Sequence, residues 1–317
     1  MNVSRPATQP NAPVISLDSV RRGRIDRPLR ILGHGTAGVG KSTFASGAPS
    51  PIFLGADEGT SELDIARLPE PKTWDEVIAS LRALGREAHE YKTIVVDPVN
   101  WLEPLCWQHV CAAAGVADIE AFGYGKGYTA AVDQWRIFLN ELERLWSGKG
   151  MHIILLAHSV VRPFRNPEGE DFDRYVISMH EKSAGLLTQW VDNVLFMRHE
   201  AFAKKTGKNA RARGVSTGAR FIHTQWHAAF EAKNRHNLPE QIPLEWESFW
   251  SAVQANRNGI DKAGDLKKQI AVAMKDIDDE AFAKNVNDWL AKFGERASAS
   301  RLAELLNKIN AKIGEKQ

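Results

Sequence analysis

The stretch Gly35-Thr36-Ala37-Gly38-Val39-Gly40-Lys41-Ser42, followed by Thr43, constrains this chain more than any other feature of its sequence. It fits the pattern of a P-loop, and its surroundings are right. The apolar run LRILG (29–33) precedes it, and TFASGA begins a helix after it. Glycines at these positions let successive backbone N–H groups curl around phosphate oxygens at the positive end of a helix dipole. Lys41 is expected to reach the β- and γ-phosphates of ATP, and the Ser42 hydroxyl to be a Mg²⁺ ligand. A plain glycine-rich turn is the alternative to this expectation.

A fold follows from what surrounds the loop. PIFLGA (51–56), KTIVVD (92–97) and MHIILLAH (151–158) are, like 29–33, apolar on both faces, as central strands of a parallel sheet must be. Stretches with helical spacing lie between them. In the clearest, 129–146, Val132, Trp135, Leu139, Leu142 and Trp146 share one face. The alternation predicts an α/β fold with a doubly wound, mostly parallel central sheet. Farther on, VDNVLFMRH (191–199) and ARFIHTQWH (219–227) are predicted antiparallel strands. The basic segment 204–220 joins them, which makes a basic hairpin extending the sheet.

The expected organisation is an N-terminal arm (1–28, with a short strand at VISLDSV), an ATPase core (29–254), a linker (255–264) and a small helical tail (265–317). In the tail Phe282, Val286, Trp289, Leu290 and Phe293 form one stripe, and Leu302, Leu305, Leu306, Ile309 and Ile313 another. The 41 basic and 39 acidic residues leave a net charge of +2, which argues against a chain coated in positive charge but not against a local basic groove. The two cysteines are too few and too close for a disulfide framework, and no run reaches the length of a membrane span. A soluble protein of the reducing cytosol is expected.

A P-loop works with an acidic residue at the end of a neighbouring strand, and KTIVVD supplies Asp97 to hold Mg²⁺ through water. An Asp capping the next helix is the other reading. Residue 98 is Pro, so the catalytic base must come from elsewhere. Strand 51–56 runs out into Asp57-Glu58-Gly59 at a carboxyl end, where ligands collect in open α/β sheets. Glu58 is the candidate to polarise the attacking water, with Asp57 the alternative. His158 closes the fourth strand, beside the expected γ-phosphate position.

Taken together, GHGTAGVGKSTFA, FLGADEG, TIVVDPVNWLE, FGYGKGY, IILLAHS and EAKNRHNLP resemble the phage-encoded ATP-binding proteins with a RecA core, including Sak-like single-strand annealing recombinases. The resemblance covers residues 15–253. It implies a RecA-like P-loop NTPase that binds ATP and Mg²⁺ and hydrolyses ATP slowly, as an oligomer in the cytoplasm of a bacterial host cell. It implies Glu58 as catalytic residue and His158 as the coupler of ATP to a DNA-binding loop. Two loops, Ala121–Tyr128 and Ser159–Lys182, would bind single-stranded DNA, and Lys233 and Arg235 in EAKNR would reach a neighbour's ATP in trans. The residues of the loops agree in part. Tyr124 and Lys126 lie in the first; Arg162, Arg165, Arg174 and Lys182 interleave with aromatics in the second, as non-specific strand binding requires. Glu168, Glu170, Asp171 and Asp173 in the same loop would repel phosphates, so a lid over the nucleotide stays open for it. A surface basic strand end stays open for Lys233 and Arg235. The expected function is a recombination ATPase promoting annealing or strand exchange. A hexameric motor, or a nucleotide-switched scaffold without DNA, are the other classes, and the tail is a possible contact for a single-strand DNA-binding protein.

Overall fold

A computed structural model describes residues 20, 25–55, 58–204, 213–277, 279–294, 297 and 299–314. The apolar runs form strands because their residues have hydrophobic company on both faces. In β4 (Thr93–Val96), Ile94 and Val96 enter one core and Val95 the other. The same alternation holds in β2 (Pro51–Leu54), where Ile52 and Leu54 oppose Phe53, and in β1 (Arg30–Gly35), where Ile31 and Leu32 part company.

Pairing of these strands with β3 (Ala66–Arg67), β5 (His152–Phe164), β7 (Asn193–Lys204), β8 (Arg213–His223) and β10 (Gln241–Pro243) gives the order β10-β8-β7-β1-β5-β4-β2-β3. All pairs from β7 to β3 along this path are parallel. β7 and β8 form the antiparallel hairpin expected of the basic segment, with a bulge between His199 and Ala201; residues 205–212 lie outside the described residues. Two further strands, β6 (Phe172–Ile177) and β9 (Lys233–Asn234), pair antiparallel with β5 and β7. This is an α/β domain with a mostly parallel sheet.

One face of the sheet is covered by α2 (Trp74–Arg86), α3 (Leu102–Ala114), α4 (Lys126–Gly148) and α5 (Glu181–Trp190). α4 buries Trp135, Leu139, Leu142 and Trp146 as its spacing predicts, and Trp135 meets Trp74 edge-on at 5.0 Å between centroids. The other face carries the short α1 (Lys41–Ser46) and the start of α6 (Trp246–Ala273), through Phe44, Trp246, Phe249 and Val253.

Two expectations are corrected here. The linker 255–264 is helical, lying inside the continuous α6. Its first half is anchored on the sheet, and its last turns pack with α7 (Glu280–Phe293) and α8 (Ala299–Gly314) around Ile270, Val286, Leu302 and Ile309. The tail stripes form this small core, although Phe293 stays 45% exposed. The second correction concerns Ser159–Lys182, which is not a loop. β5 continues unbroken past His158 and pairs with β6 from Ser159↔Ile177 to Phe164↔Phe172, after which α5 begins. The strand expected at VISLDSV lies outside the described residues, except for the irregular Val20.

Candidate nucleotide site

The carboxyl ends of β1, β5 and β7 meet in register, with Gly35 beside His158 on one side and Met197 on the other. A Cβ at Gly35 would lie 2.2 Å from the Met197 carbonyl oxygen, so only glycine lets the chain leave the sheet here. The loop then turns through Gly38 (φ +74°) and Gly40 (φ +105°), left-handed values that favour glycine. Thr36, Ala37 and Gly38 form the exposed rim, Val39 is buried beneath it, and Thr43 is exposed on α1.

Lys41 is buried under this loop. Its ammonium donates to Gly35 O at 3.3 Å and Thr36 O at 3.0 Å, and lies 3.4 Å from His158 Nδ1. The Ser42 hydroxyl donates to Asp97 Oδ2 at 2.5 Å, and Asp97 is 3% exposed. Asp97 N donates to Leu54 O at 3.1 Å, which ties the end of β4 to the end of β2. Asp97 therefore faces the P-loop rather than serving only as a helix cap. Ser42 and Asp97 fit one corner of a Mg²⁺ shell. Among the described residues no cluster of three or more His, Cys, Asp or Glu could hold a metal.

His158 occupies the expected place at the strand end. Its backbone N–H donates to Asn100 Oδ1 at 2.9 Å, and its ring lies 6.2 Å from the half-exposed Trp101. Glu58 opens a short 3₁₀ turn, Glu58–Thr60, just beyond β2 and so on the same rim; its side chain and Asp57 lie outside the described residues.

The proposed DNA residues divide. Tyr124 is fully exposed at φ +50°, between Gly123 and Gly125, and Lys126 is exposed in the first turn of α4. Arg162 and Arg165 are exposed on the β5–β6 hairpin. Lys182 donates to Thr129 Oγ1 at 3.1 Å, and beside it Tyr128 stacks on His180 at 3.9 Å; these contacts join the start of α4 to the start of α5. Arg174 departs from expectation, being 8% exposed and donating to Phe230 O at 3.3 Å. Glu168, Glu170, Asp171 and Asp173 are all exposed; Asp171 accepts from Asn166 N in the turn, and Asp173 pairs with Pro163 in the hairpin register.

The trans candidates lie elsewhere. β9 pairs with Asn193 and Val194, at the amino end of β7, roughly 13 Å along the strands from the P-loop rim. Lys233 is not projected outward: its ammonium donates to Thr188 O, Gln189 O and Val191 O at 2.9, 3.0 and 2.7 Å, closing the carboxyl end of α5. Arg235 is 55% exposed at its side chain and sits 3.4 Å from Asp192.

Three residues of this region escaped the sequence. His34, in the strand before the loop, is fully buried between Ser159 Oγ (2.9 Å) and Glu231 O (2.8 Å), and burial pushes its pKa down to about 4. A lone His inside an apolar run was the available signal. Asn100 was visible only as a polar residue in VNWLE. Arg220 lies within the basic segment, yet its Nη1 donates to Val39 O at 3.3 Å, where a Cβ on Gly40 would come within 2.5 Å of it. Nothing local marks it off from the other arginines.

Residues 27–236 match the family described as AAA domain, AAA_24. The chain belongs to this family. It is therefore a P-loop ATPase, and nucleotide binding, ordinarily with Mg²⁺, comes with that membership. The crystal structure of the RadB recombinase is similar over 70% of this chain and 90% of that one, at 12% identity and a TM-score of 0.39. So slight a likeness carries no functional argument. No curated protein matches the chain. Among the described residues no helix is long and apolar enough to cross a membrane.

Proposed function

We propose that this AAA-domain ATPase is a RecA-type recombination protein of phage origin that binds single-stranded DNA as an oligomer and promotes annealing or strand exchange. ATP is the substrate, cradled by Gly35–Thr43, with Lys41 on its phosphates. Ser42 and, through water, Asp97 would hold Mg²⁺, which would supply neutralisation of phosphate charge. Glu58 is the base that polarises water, with Asp57 as its alternative. Hydrolysis is slow, because the nucleotide serves chiefly to switch DNA affinity and assembly.

The observation that carries this reading is the continuity of β5. The His158 ring lies 3.4 Å from the Lys41 ammonium, and four residues on the same strand presents Arg162. A shift of Lys41 toward phosphate is thereby felt at the base of a hairpin whose outer half offers two exposed arginines. Tyr124 and Lys126 add an aromatic face and a charge on the rim of α4, linked to the hairpin base through the Tyr128–His180 stack. On this reading Arg235, half-exposed on a different side of the domain and 3.4 Å from Asp192, exchanges Asp192 for a neighbouring subunit's phosphate on assembly, as an arginine finger does. Lys233 keeps the end of α5 in place beneath it.

The test is binding of a labelled single strand by the parent protein and by Arg162→Ala/Arg165→Ala, with and without ATP and Mg²⁺. Tighter binding with nucleotide, and at least about a tenfold loss in the double variant at low salt, supports the reading. Absence of binding by the parent protein sinks it and leaves a scaffold.

A further inference from the structure

The β5–β6 hairpin buries Arg174 with no ion pair among the described residues, although Glu231 lines the cavity beside it. Among the described residues, the Arg174 guanidinium makes one hydrogen bond, to a backbone carbonyl, and lies 5.5 Å from the ring centroids of both Phe164 and Trp226. Its Nε is buried with no hydrogen-bond partner. Burying a charge is costly unless an opposite charge or a full set of hydrogen bonds answers it. The hairpin register raises the cost, because Arg162 occupies the position directly opposite Arg174 and like charges facing across a pair repel.

Beside Arg174 lies a cavity of about 390 Å³, lined also by Thr188, Gln189, Trp226, Glu231 and Lys233. Its volume falls within the range of small-ligand sites, ~300–1,000 Å³. Trp226 is 65% exposed, an unusual cost for an indole in a segment that otherwise packs inward through Phe230. A flat apolar face and a buried guanidinium side by side match a ligand with an aromatic ring and an anionic group. A peptide carboxylate would answer Arg174 but leave idle the indole face that Arg174 does not cover.

We propose that this cavity takes one nucleotide unit of a single DNA strand, its base stacked on Trp226 and its phosphate held by Arg174. This rests on the single-strand-binding reading above and adds to it Trp226 and the 224–233 segment, which lie outside both expected loops and meet Arg174 of the second. The strand reaches the cavity along the hairpin face bearing Arg162, with Arg165 at the hairpin end. Asp173 lies on the opposite face, since neighbouring strand residues point to opposite sides.

The experiment uses the full-length protein with ATP and Mg²⁺ and a fluorescein-labelled oligothymidylate, read by anisotropy. Trp226→Ala should weaken binding roughly tenfold or more, the loss expected of one stacked base, and Trp226→Phe should restore most of it. Arg174→Gln should weaken binding and lower the slope of log affinity against log salt by about 0.7. Should Arg174→Gln fail to fold, Trp226→Ala decides alone, its folding checked by an unchanged melting temperature. Parent protein that binds the strand while Trp226→Ala binds it equally well overturns the cavity site and leaves the DNA reading intact. Parent protein that binds no strand removes both. A Trp226→Ala protein that loses self-association yet keeps full DNA affinity also overturns the proposal, because the cavity then seats a neighbouring subunit.

Discussion

At the scale of single residues, the P-loop motif and the acid at the end of a strand announced the site, and neighbours far away in sequence completed it. Lys41→Ala removes the ammonium buried under the loop, and ATP turnover should fall by at least about a hundredfold in a steady-state assay. Asp97→Asn should weaken nucleotide binding in Mg²⁺ far more than in EDTA, because the Ser42–Asp97 pair acts through the metal. Lys233 was legible as a basic residue but not as a helix closer, since its three acceptors become adjacent only when β9 pairs with β7. Lys233→Met should therefore lower the unfolding free energy by about 2 kcal/mol in urea titration of the isolated protein. A residue acting purely in trans would leave that value unchanged. Arg174 and Arg162 look alike in sequence, and burial separates them because Phe230 and Trp226 arrive from some fifty residues downstream.

At the scale of elements, strands buried on both faces were legible and those built by pairing alone were not. KTIVVD and MHIILLAH are apolar throughout because each face has its own core. The outer half of β5 and all of β6 alternate charges, Pro163 and aromatics, and they are strands because they pair with each other and β6 also bridges to Phe230. α6 shows the converse. Asn256, Asn258 and Gly259 suggested a break, yet packing at both ends, on Phe44 and on α8, carries the helix across them. The turn from β1 into the loop should tolerate no side chain at its start: Gly35→Ala should destabilise the domain and abolish nucleotide binding together, because the obstructing atom is a backbone carbonyl.

At the scale of the whole molecule, family membership fixes the ATPase, and the proposals concern what its energy serves. Acid should expose the buried histidines. His34 and His152, with pKa values pushed down to about 4 chiefly by burial, stay neutral when folded and take up protons near 6.5 when unfolded. Their contribution is complete above about pH 6.5 and is lost as pH falls toward 4, with roughly 2 kcal/mol gone for His34 by about pH 5. The melting temperature should fall steadily over that interval. Arg235→Ala should depress turnover at protein concentrations that favour assembly and leave dilute protein unaffected, since among the described residues its ion pair is with Asp192, on the protein's own surface.

The central claim is that this ATPase answers to single-stranded DNA, and the most direct measurement is ATP turnover with and without an oligonucleotide, on the parent protein and on Lys41→Ala. Stimulation by the strand, absent in Lys41→Ala, is the predicted result. A turnover that no single strand changes, in a protein that binds none at low salt, would contradict it.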